Sequence, residues 1–430
     1  MADTTFEREV ERNFRWNFSV NLVDISFIML GLSLVSRETV VPLLMSKLTS
    51  SPVAIGLVPA VYSLGVYLPQ LIGASVAETM PRKKLFVMVV SAFGERLPYL
   101  ISGLVVLLLA ESAPTVTLVA LVAMFGLSGA AAGFATPAWF DLISKVIPLR
   151  RRGLFTGLGF GIGALMGVAG AVVLGFVLDR WPYPVNFALL FVLAFCAMVV
   201  SWIGLSLNRE PANPTLNPSV TLARYLRSLP GILRADGNFA RYIGVMTVAR
   251  AGTMAGGFFL VYGTERFQLG GTEAGLLTGV LIGCQALFNP LWGMLGDHRG
   301  HKVVLVGGAL ALGLAALTAC LAPSWPWLVV TFTLLGGFLS ADTTSFLNII
   351  PEFCSDADRP TYIGLTNTLL SPATSFAPLL GGWLAAQLGY PPMFALAALL
   401  ACLGAGLLAG WVQEPRRVRR MSRPHQVDVM

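Results

Sequence analysis

The sequence predicts an all-α membrane protein with 12 transmembrane helices, arranged as two pseudo-symmetric bundles of six helices. The first indication is composition: 55% of the 430 residues are apolar and only 12% are charged, whereas soluble proteins carry about 25% charged residues. The second is length, because the apolar residues form blocks of about 20, the number needed to cross a hydrocarbon core of ~30 Å. The third is a polar, proline-containing stretch near the middle of the chain, which separates six blocks from six. We therefore expect a lipid bilayer to surround most side chains.

The apolar blocks define the individual spans and the domains. The predicted spans of the first half are about 18–46, 53–77, 85–110, 115–140, 154–178 and 184–207. Those of the second half are about 239–262, 273–295, 303–322, 326–350, 362–387 and 392–412. The predicted domains are a cytoplasmic amphipathic N-terminal segment (1–17), an N-terminal six-helix bundle (18–207), a cytoplasmic linker (208–238), a C-terminal six-helix bundle (239–413) and a basic cytoplasmic tail (414–430).

The positions of Lys and Arg predict the orientation in the membrane, since cytoplasmic loops carry an excess of these residues. With the N-terminus inside, 23 of the 29 Lys and Arg residues fall in cytoplasmic segments, and only Lys47, Arg180 and Arg266 fall on the other side. Both termini are therefore predicted to be cytoplasmic. The charged N-terminus lacks the pattern of a cleaved signal peptide. We expect a multi-pass protein of the cell (cytoplasmic) membrane.

Several other classes of function are not supported by the sequence. The basic residues lie in short interhelical loops without interleaved aromatic residues, so nucleic acid is not an expected partner. The five cysteines have no metal-ligand spacing, and the three histidines lie outside the spans. There is no phosphate-binding loop of the form G-x-x-x-x-G-K-S/T and no Ser/His/Asp set. We therefore predict a protein that is not an enzyme and that uses no cofactor and no metal.

Two loops at corresponding positions of the two halves share a pattern. The loop between spans 8 and 9 contains Gly293, Asp297, Gly300 and Lys302. The loop between spans 2 and 3 contains Glu78, Arg82 and Lys83. The acidic residues of the two loops lie 219 positions apart, about half of the chain. A carboxylate at a helix end can interact with the positive N-terminal end of a neighbouring helix, so both loops are predicted to act in gating contacts.

In these loops the chain resembles the major facilitator superfamily, whose signature loop has the form G-x-x-x-D-R/K-x-G-R/K-R/K. The span 8–9 loop matches it with histidines in place of two basic residues, whereas the span 2–3 loop has Glu78 for the Asp and Pro81 for the Gly. Span 11 carries a second resemblance to the family. Its helix-packing element, formed by Ala377, Pro378, Gly381 and Gly382, resembles the family's G-P-x-x-G-G element.

This resemblance implies two six-helix bundles that rock around a central cavity. It also implies that Asp297 contacts the start of span 5, after Arg150–Gly153, and that Glu78 contacts the start of span 11 near Arg359. Such contacts would form when the cavity is open to the outside and break when it is open to the cytoplasm.

Charged residues within the spans are candidates for function, because inserting a charge into the bilayer costs a few kcal/mol. They are Asp24, Arg37 and Glu38 in span 1, Glu95 and Arg96 in span 3, Arg250 in span 7 and Asp342 in span 10. The resemblance implies that spans 1, 4, 7 and 10 line the cavity, so all but the Glu95–Arg96 pair are candidates for contact with substrate or a coupling ion. We interpret Glu95–Arg96 as a structural pair. Weaker polar candidates are Tyr62, Gln285, Asn289 and Asn367.

Alternatives stay open for three of the charged residues. Arg250 could form a permanent salt bridge rather than bind a ligand. Asp24 and Asp342 could be proton carriers, since burial raises the pKa of a carboxyl group, or acids that cap helices near the inner face.

The expected function is secondary active transport of a small organic solute by alternating access. Resemblance to drug exporters slightly favours export, and proton coupling is a further expectation. Two positions argue against proton-coupled drug export. Ala123 stands where drug/proton antiporters of the family usually carry Arg in span 4, and Val168 replaces the Pro of their span 5 element. Uptake, facilitated diffusion and lipid flipping are alternatives of the same fold, and a non-transporting sensor or assembly factor is the alternative from another class. We expect a monomer.

Overall fold

The structure, a computed structural model, describes the backbone of residues 2–212, 231–354 and 359–416, and the side chains of all of these except 2–7, 71, 78, 149 and 359–361. The described part of the chain is helical and contains no strand. Within these residues, twelve helices are long and apolar enough to cross a membrane. These spans, numbered 1–12 in chain order, are Arg8–Leu34, Pro52–Ala77, Lys84–Leu109, Pro114–Val146, Arg152–Arg180, Val185–Ser206, Gly237–Phe267, Gly271–Arg299, His301–Leu321, Trp327–Ser345, Tyr362–Leu388 and Tyr390–Gly410. The predicted fold class is confirmed.

The spans run alternately between two ends of the molecule. We call the end that holds the start of span 1 and the end of span 12 the basic end, because the loops rich in Lys and Arg lie there. The other is the opposite end.

The first helix differs from its predicted bounds at both ends. It is continuous over Ala2–Leu34, so residues 2–17 belong to the same helix as span 1. Asn17 is buried and exchanges two hydrogen bonds with the backbone of Arg209, of 3.1 and 2.9 Å. This contact joins the N-terminal part of the helix to the chain after span 6, which the local composition alone does not reveal.

The predicted continuation of span 1 to residue 46 is wrong. The helix ends at Leu34, residues 35–39 form turns, and a separate helix covers Val40–Leu48. The polar run from Ser36 to Thr39 explains the break. The Ser36 hydroxyl donates to the Glu38 carboxylate over 3.3 Å, and such local side-chain bonds compete with helical ones.

Three further spans are irregular near their middle. Span 2 is interrupted at Pro69, which cannot donate a backbone hydrogen bond. Span 3 contains a π-helical turn at Ser91–Arg96, which ends two residues before Pro98. Span 7 passes through a 3₁₀ segment at Gly252–Phe258, whose three glycines are poor helix formers. Irregular backbone at this depth is tolerated where it is buried in protein or lines a cavity.

Among the described residues, the buried apolar core joins the two halves at the opposite end only. There, a single cluster combines Val41, Leu44 and Met45 of the first half with Phe258 and Phe259 of the second. At the basic end, the described buried apolar residues form two separate clusters. One contains residues of the first half only, and the other contains residues of the second half only. The halves are therefore packed together at one end and divided at the other.

Backbone contacts at the opposite end are close because glycines lie in them. A Cβ atom at Gly56 of span 2 would lie 2.4 Å from the Pro378 carbonyl oxygen of span 11, and one at Gly382 would lie 2.4 Å from that of Pro52. Gly381 faces the backbone of Met254 in its own half in the same way. Two of the residues of the predicted packing element, Pro378 and Gly382, thus lie where the halves meet.

Candidate functional site

An ion pair of the second half lies against the first half. The Arg250 Nη2 atom of span 7 is 2.5 Å from Asp342 Oδ1 of span 10. The guanidinium carbon lies 4.3 Å from the ring centroid of Phe346, and Arg250 itself is buried. Tyr67 of span 2, from the other half, lies close enough to interact electrostatically with both charges. The salt bridge considered for Arg250 is thus present within the second half, with Tyr67 of the first half beside it.

Asp24 lies in a buried polar cluster within the first half. It accepts hydrogen bonds from the Ser201 hydroxyl over 2.6 Å and from Trp139 Nε1 over 3.4 Å. Its Oδ1 atom is 3.8 Å from Arg96 Nη2. A cavity of about 160 Å³ lies beside this cluster and is also lined by Glu95. Asp24, placed among the cavity-lining candidates by resemblance, therefore shares one network with a pair interpreted as structural.

Arg96 connects this network. Its Nη1 atom is 3.2 Å from Glu95 Oε2, and its Nε donates to the Met198 carbonyl over 3.0 Å. The π-helical turn that ends at Arg96 places the adjacent residues Glu95 and Arg96 in this shared network. Such turns frequently occur at functional sites.

Arg37 lies in the break after span 1 and faces aromatic residues. Its guanidinium carbon is 4.1 Å from the ring centroid of Tyr62 in span 2, within the range of a cation–π interaction. Glu38 and Glu95 are both close enough to act electrostatically on Tyr62. Arg37 also interacts with Tyr67, which connects this group to the Arg250–Asp342 pair.

The weaker polar candidates have different surroundings. Asn367 of span 11 donates through Nδ2 to Gln70 Oε1 of span 2 over 3.0 Å, which is a contact between the halves. Asn289 accepts from the Ser340 hydroxyl over 2.6 Å, within the second half. Gln285 packs with its backbone beside Gly336. Asn367 thus contacts the other half and Tyr62 contacts Arg37, whereas Asn289 holds spans 8 and 10 together.

At the basic end of the first half, a buried carboxylate that sequence reasoning missed holds the span 2–3 loop. Glu210, whose side chain is 2% exposed, accepts from the backbone N–H groups of Lys83 and Lys84 over 2.9 and 2.8 Å. It also lies 3.0 Å from Lys145 Nζ. The Lys83 ammonium is bound to Asp141 over 2.5 Å, and Arg82 is exposed. Glu210 therefore caps the start of span 3.

The span 8–9 loop is held in a related way. Arg416 donates to the Asp297 carbonyl over 2.8 Å and binds Glu352 over 2.7 Å. Burial raises the pKa of Glu352, although the Arg416 hydrogen bond acts to lower it. Lys302 Nζ donates to the last carbonyls of span 12. Gly300 has φ of 94° and packs so closely on Glu414 that a Cβ atom would lie 2.5 Å from its Oε1.

The start of span 5, which is the predicted partner of Asp297, contacts other residues in this structure. At the start of span 5, Arg150 binds Glu11 over 2.9 Å and Arg152 donates to carbonyls of residues 144 and 147, all within the first half. Gly153 is exposed, a Cβ atom there would meet nothing within 4 Å, and the same holds for Gly293. The side chains of Glu78 and Arg359, the second predicted gate, lie outside the described part. Both described loop networks are thus internal to their halves.

Comparison with known proteins identifies the family. Residues 25–265 and 242–427 match the sequence model of the Major Facilitator Superfamily. The chain is 30% identical over 133 residues to the methyl viologen resistance protein SmvA of Salmonella typhimurium, covering 31% of this chain and 26% of that protein. It is 28% identical over 180 residues to the multidrug resistance protein MdtG of Serratia proteamaculans, covering 40% and 43%. Similarity to the 3-(3-hydroxy-phenyl)propionate transporter of Escherichia coli is 27% over 168 residues, covering 38% and 39%. The chain thus spans less than half of the length of each of these relatives.

Solved structures show the same fold over nearly the whole chain. The D-xylose-proton symporter has a TM-score of 0.67 at 16% identity, covering 93% of this chain and 98% of that one. The nucleoside transporter NupG has a TM-score of 0.70 at 14% identity, covering 92% and 98%. In the described part of the chain, no three His, Cys, Asp or Glu residues are grouped as a metal site would require.

Proposed function

The chain belongs to the major facilitator superfamily, and we propose that it moves a small organic solute across a membrane by alternating access. The observation that carries this proposal is the divided core. One apolar cluster joins the halves at the opposite end, while two separate clusters support them at the basic end. Asn367 and Gln70 form a hydrogen bond between the halves, and Tyr67 of the first half interacts with Arg250 and Asp342 of the second. A rocking motion that divides the core at the other end would expose these groups to the other side.

The basic end is proposed to be cytoplasmic, and with it both termini. The excess of Lys and Arg in its loops supports this orientation. The structure then represents a state that is closed to the outside and open to the cytoplasm. The internal networks of the two signature loops fit this state, because the proposed contact of Asp297 with the start of span 5 would form only when the basic end closes.

Export is the proposed direction. Two of the relatives are named for resistance to methyl viologen or to several drugs, and resistance of that kind can result from removal of the compound from the cell. Uptake is the second candidate, because another relative is named as the transporter of an aromatic acid. Assembly as a monomer and coupling to protons belong to the same proposal, with Asp24 and Asp342 as the candidate proton carriers.

Transport by the purified protein in sealed liposomes tests the proposal. With a proton gradient imposed, we expect accumulation of a solute selected by a thermal-stability screen, and little accumulation after the gradient is dissipated. Replacement of both candidate acids, in Asp24→Asn and Asp342→Asn, is expected to leave only downhill exchange. Gradient-driven accumulation that persists in both variants would exclude these acids as carriers. A stable protein that moves no solute would favour the sensor or assembly role instead.

A further inference from the structure

Spans 5 and 8, one from each half, run antiparallel and touch backbone to backbone at the opposite end. A Cβ atom at Gly175 of span 5 would lie 3.1 Å from the Gly271 carbonyl oxygen and 3.4 Å from the Cα atom of Gly275. One at Gly275 would lie 2.7 Å from the Ala171 carbonyl oxygen. Both helices contain 29 residues. The halves therefore meet here along two helices of equal length.

An acid in the last turn of span 5 caps the first turn of span 8. Asp179 Oδ1 accepts from the Gly271 N–H over 2.6 Å, and its Oδ2 accepts from the Thr272 N–H over 2.9 Å and from the Thr272 hydroxyl. The first N–H groups of a helix have no partner within it and form the positive end of its dipole. The Gly270 N–H is bound by Glu273 of span 8 itself over 2.9 Å. Two of the first amides thus have a carboxylate of the other half as their partner.

The spacing of glycines predicts which residues of this helix pair meet at the basic end. Gly157 precedes Gly175 by 18 residues in span 5, and Gly293 follows Gly275 by 18 residues in span 8. Eighteen residues make about five full turns of an α-helix, so each glycine shares a helix face with its counterpart. Since Gly175 contacts Gly275, the same register places Gly157 opposite Gly293.

This second pair of glycines is apart in the present state. A Cβ atom at Gly157 or at Gly293 would meet nothing within 4 Å, so the two helices diverge toward the basic end. Tilting of span 5 against span 8 would bring these glycines together. Because the helices are of equal length and packed at their other ends, the same tilt would withdraw Asp179 from the start of span 8.

We propose that Asp179 is a gating residue of the opposite end: its carboxylate binds the halves together across spans 5 and 8, and it releases span 8 whenever that end opens. This proposal rests on the proposed alternating access and adds a residue that stabilises the present state. Asp297, near the end of span 8, is expected by resemblance at the start of span 5. The two acids then act in turn, each at the first turn of the helix that carries the other.

Pulsed distance measurements between spin labels at Lys47 and Arg266, exposed residues of different halves at the opposite end, test this role on the full chain in nanodiscs. Asp179→Ala should raise the population with the longer distance at least threefold, because two amides lose a charged acceptor. Asp179→Asn keeps one carbonyl oxygen and should give a smaller change in the same direction. Glu273→Ala is the matched control and should leave the populations unchanged, since it removes a carboxylate from the same helix start within one half.

The outcomes separate the gating role from the transport proposal. Combining Asp179→Ala with Asp297→Asn should return the two populations toward those of the unaltered protein, because each closed end has then lost one carboxylate. A double variant that shifts as far as Asp179→Ala would overturn the alternation of the two acids. Unchanged populations in both Asp179 variants, or an equal rise in Glu273→Ala, would overturn the gating role and leave transport intact. A protein that shifts as expected but moves no solute in liposomes would overturn transport instead.

Discussion

At the scale of single residues, Glu210 makes the strongest prediction about stability. Its carboxylate is buried and binds two backbone amides and the Lys145 ammonium. Removing one partner of a buried ion pair costs about 3–5 kcal/mol. We expect Glu210→Gln to lower the midpoint of thermal unfolding in detergent by several degrees and to make the span 2–3 loop more susceptible to proteolysis.

Glu11→Gln is the matched control for this change. Glu11 also binds a single cation, Arg150, but their side chains are 48% and 71% exposed. Pairs of this kind contribute roughly 0–1 kcal/mol, so the midpoint should hardly move. Equal midpoints for the Glu210→Gln and Glu11→Gln proteins would show that the Glu210 contacts do not stabilise the fold.

Residue identity alone predicted some of the central site and missed the rest. Asp342 and Arg250 were recognisable because a charge in an apolar block is costly and needs a partner. Glu210 was not, since it follows a span and reads as part of a solvated linker. Its burial depends on three segments that meet only in the folded protein, and sequence spacing does not show this.

At the scale of helices, spans 2 and 11 pack closely at the opposite end, and we expect this packing to hold that end closed. A side chain at Gly382 would collide with the Pro52 carbonyl oxygen, which lies 2.4 Å from the Cβ position. Backbone cannot move aside as a flexible side chain can. Gly382→Val is therefore expected to separate the halves at this end and shift the protein away from the state described here.

Labelling of an engineered cysteine near the opposite end measures this shift, in a protein whose five native cysteines are replaced. The labelling rate should rise severalfold in Gly382→Val. Gly161→Ala is the control, because a Cβ atom there meets nothing within 4 Å. A rate that is the same in both variants would show that this contact does not hold the end closed.

Helix number was predictable and helix breaks were not. Apolar blocks of about 20 residues are a strong signal, and the twelve spans follow from them. The break at residues 35–39 was missed because its flanks are as apolar as a continuous span. The π-helical turn in span 3 left no signal beyond Pro98. Both irregular segments contain charged residues: Arg37 and Glu38 in the first, Glu95 and Arg96 in the second.

At the scale of the whole molecule, the divided core predicts coupled movements of opposite sign at the two ends. Exposed positions on different halves are available for spin labels at both: Arg151 with Arg299 at the basic end, and Lys47 with Arg266 at the opposite end. If the halves rock as rigid bodies, the distance between Arg151 and Arg299 should shorten in the same subpopulation in which the distance between Lys47 and Arg266 lengthens.

Asp297→Asn should deplete the subpopulation with the closed basic end, since it removes the charge expected at the start of span 5.

The two distances together decide between rocking and local opening. A shared apolar cluster of the size found at the opposite end cannot be divided without a compensating contact elsewhere, because its exposed surface would be unfavourable in water. Closure of the basic end, where Gly153 is exposed and its surroundings are open, provides that contact. Pulsed distance measurements on both pairs should therefore give two correlated populations. A change in one distance with the other fixed would mean that a loop or helix end moves while the halves stay in place.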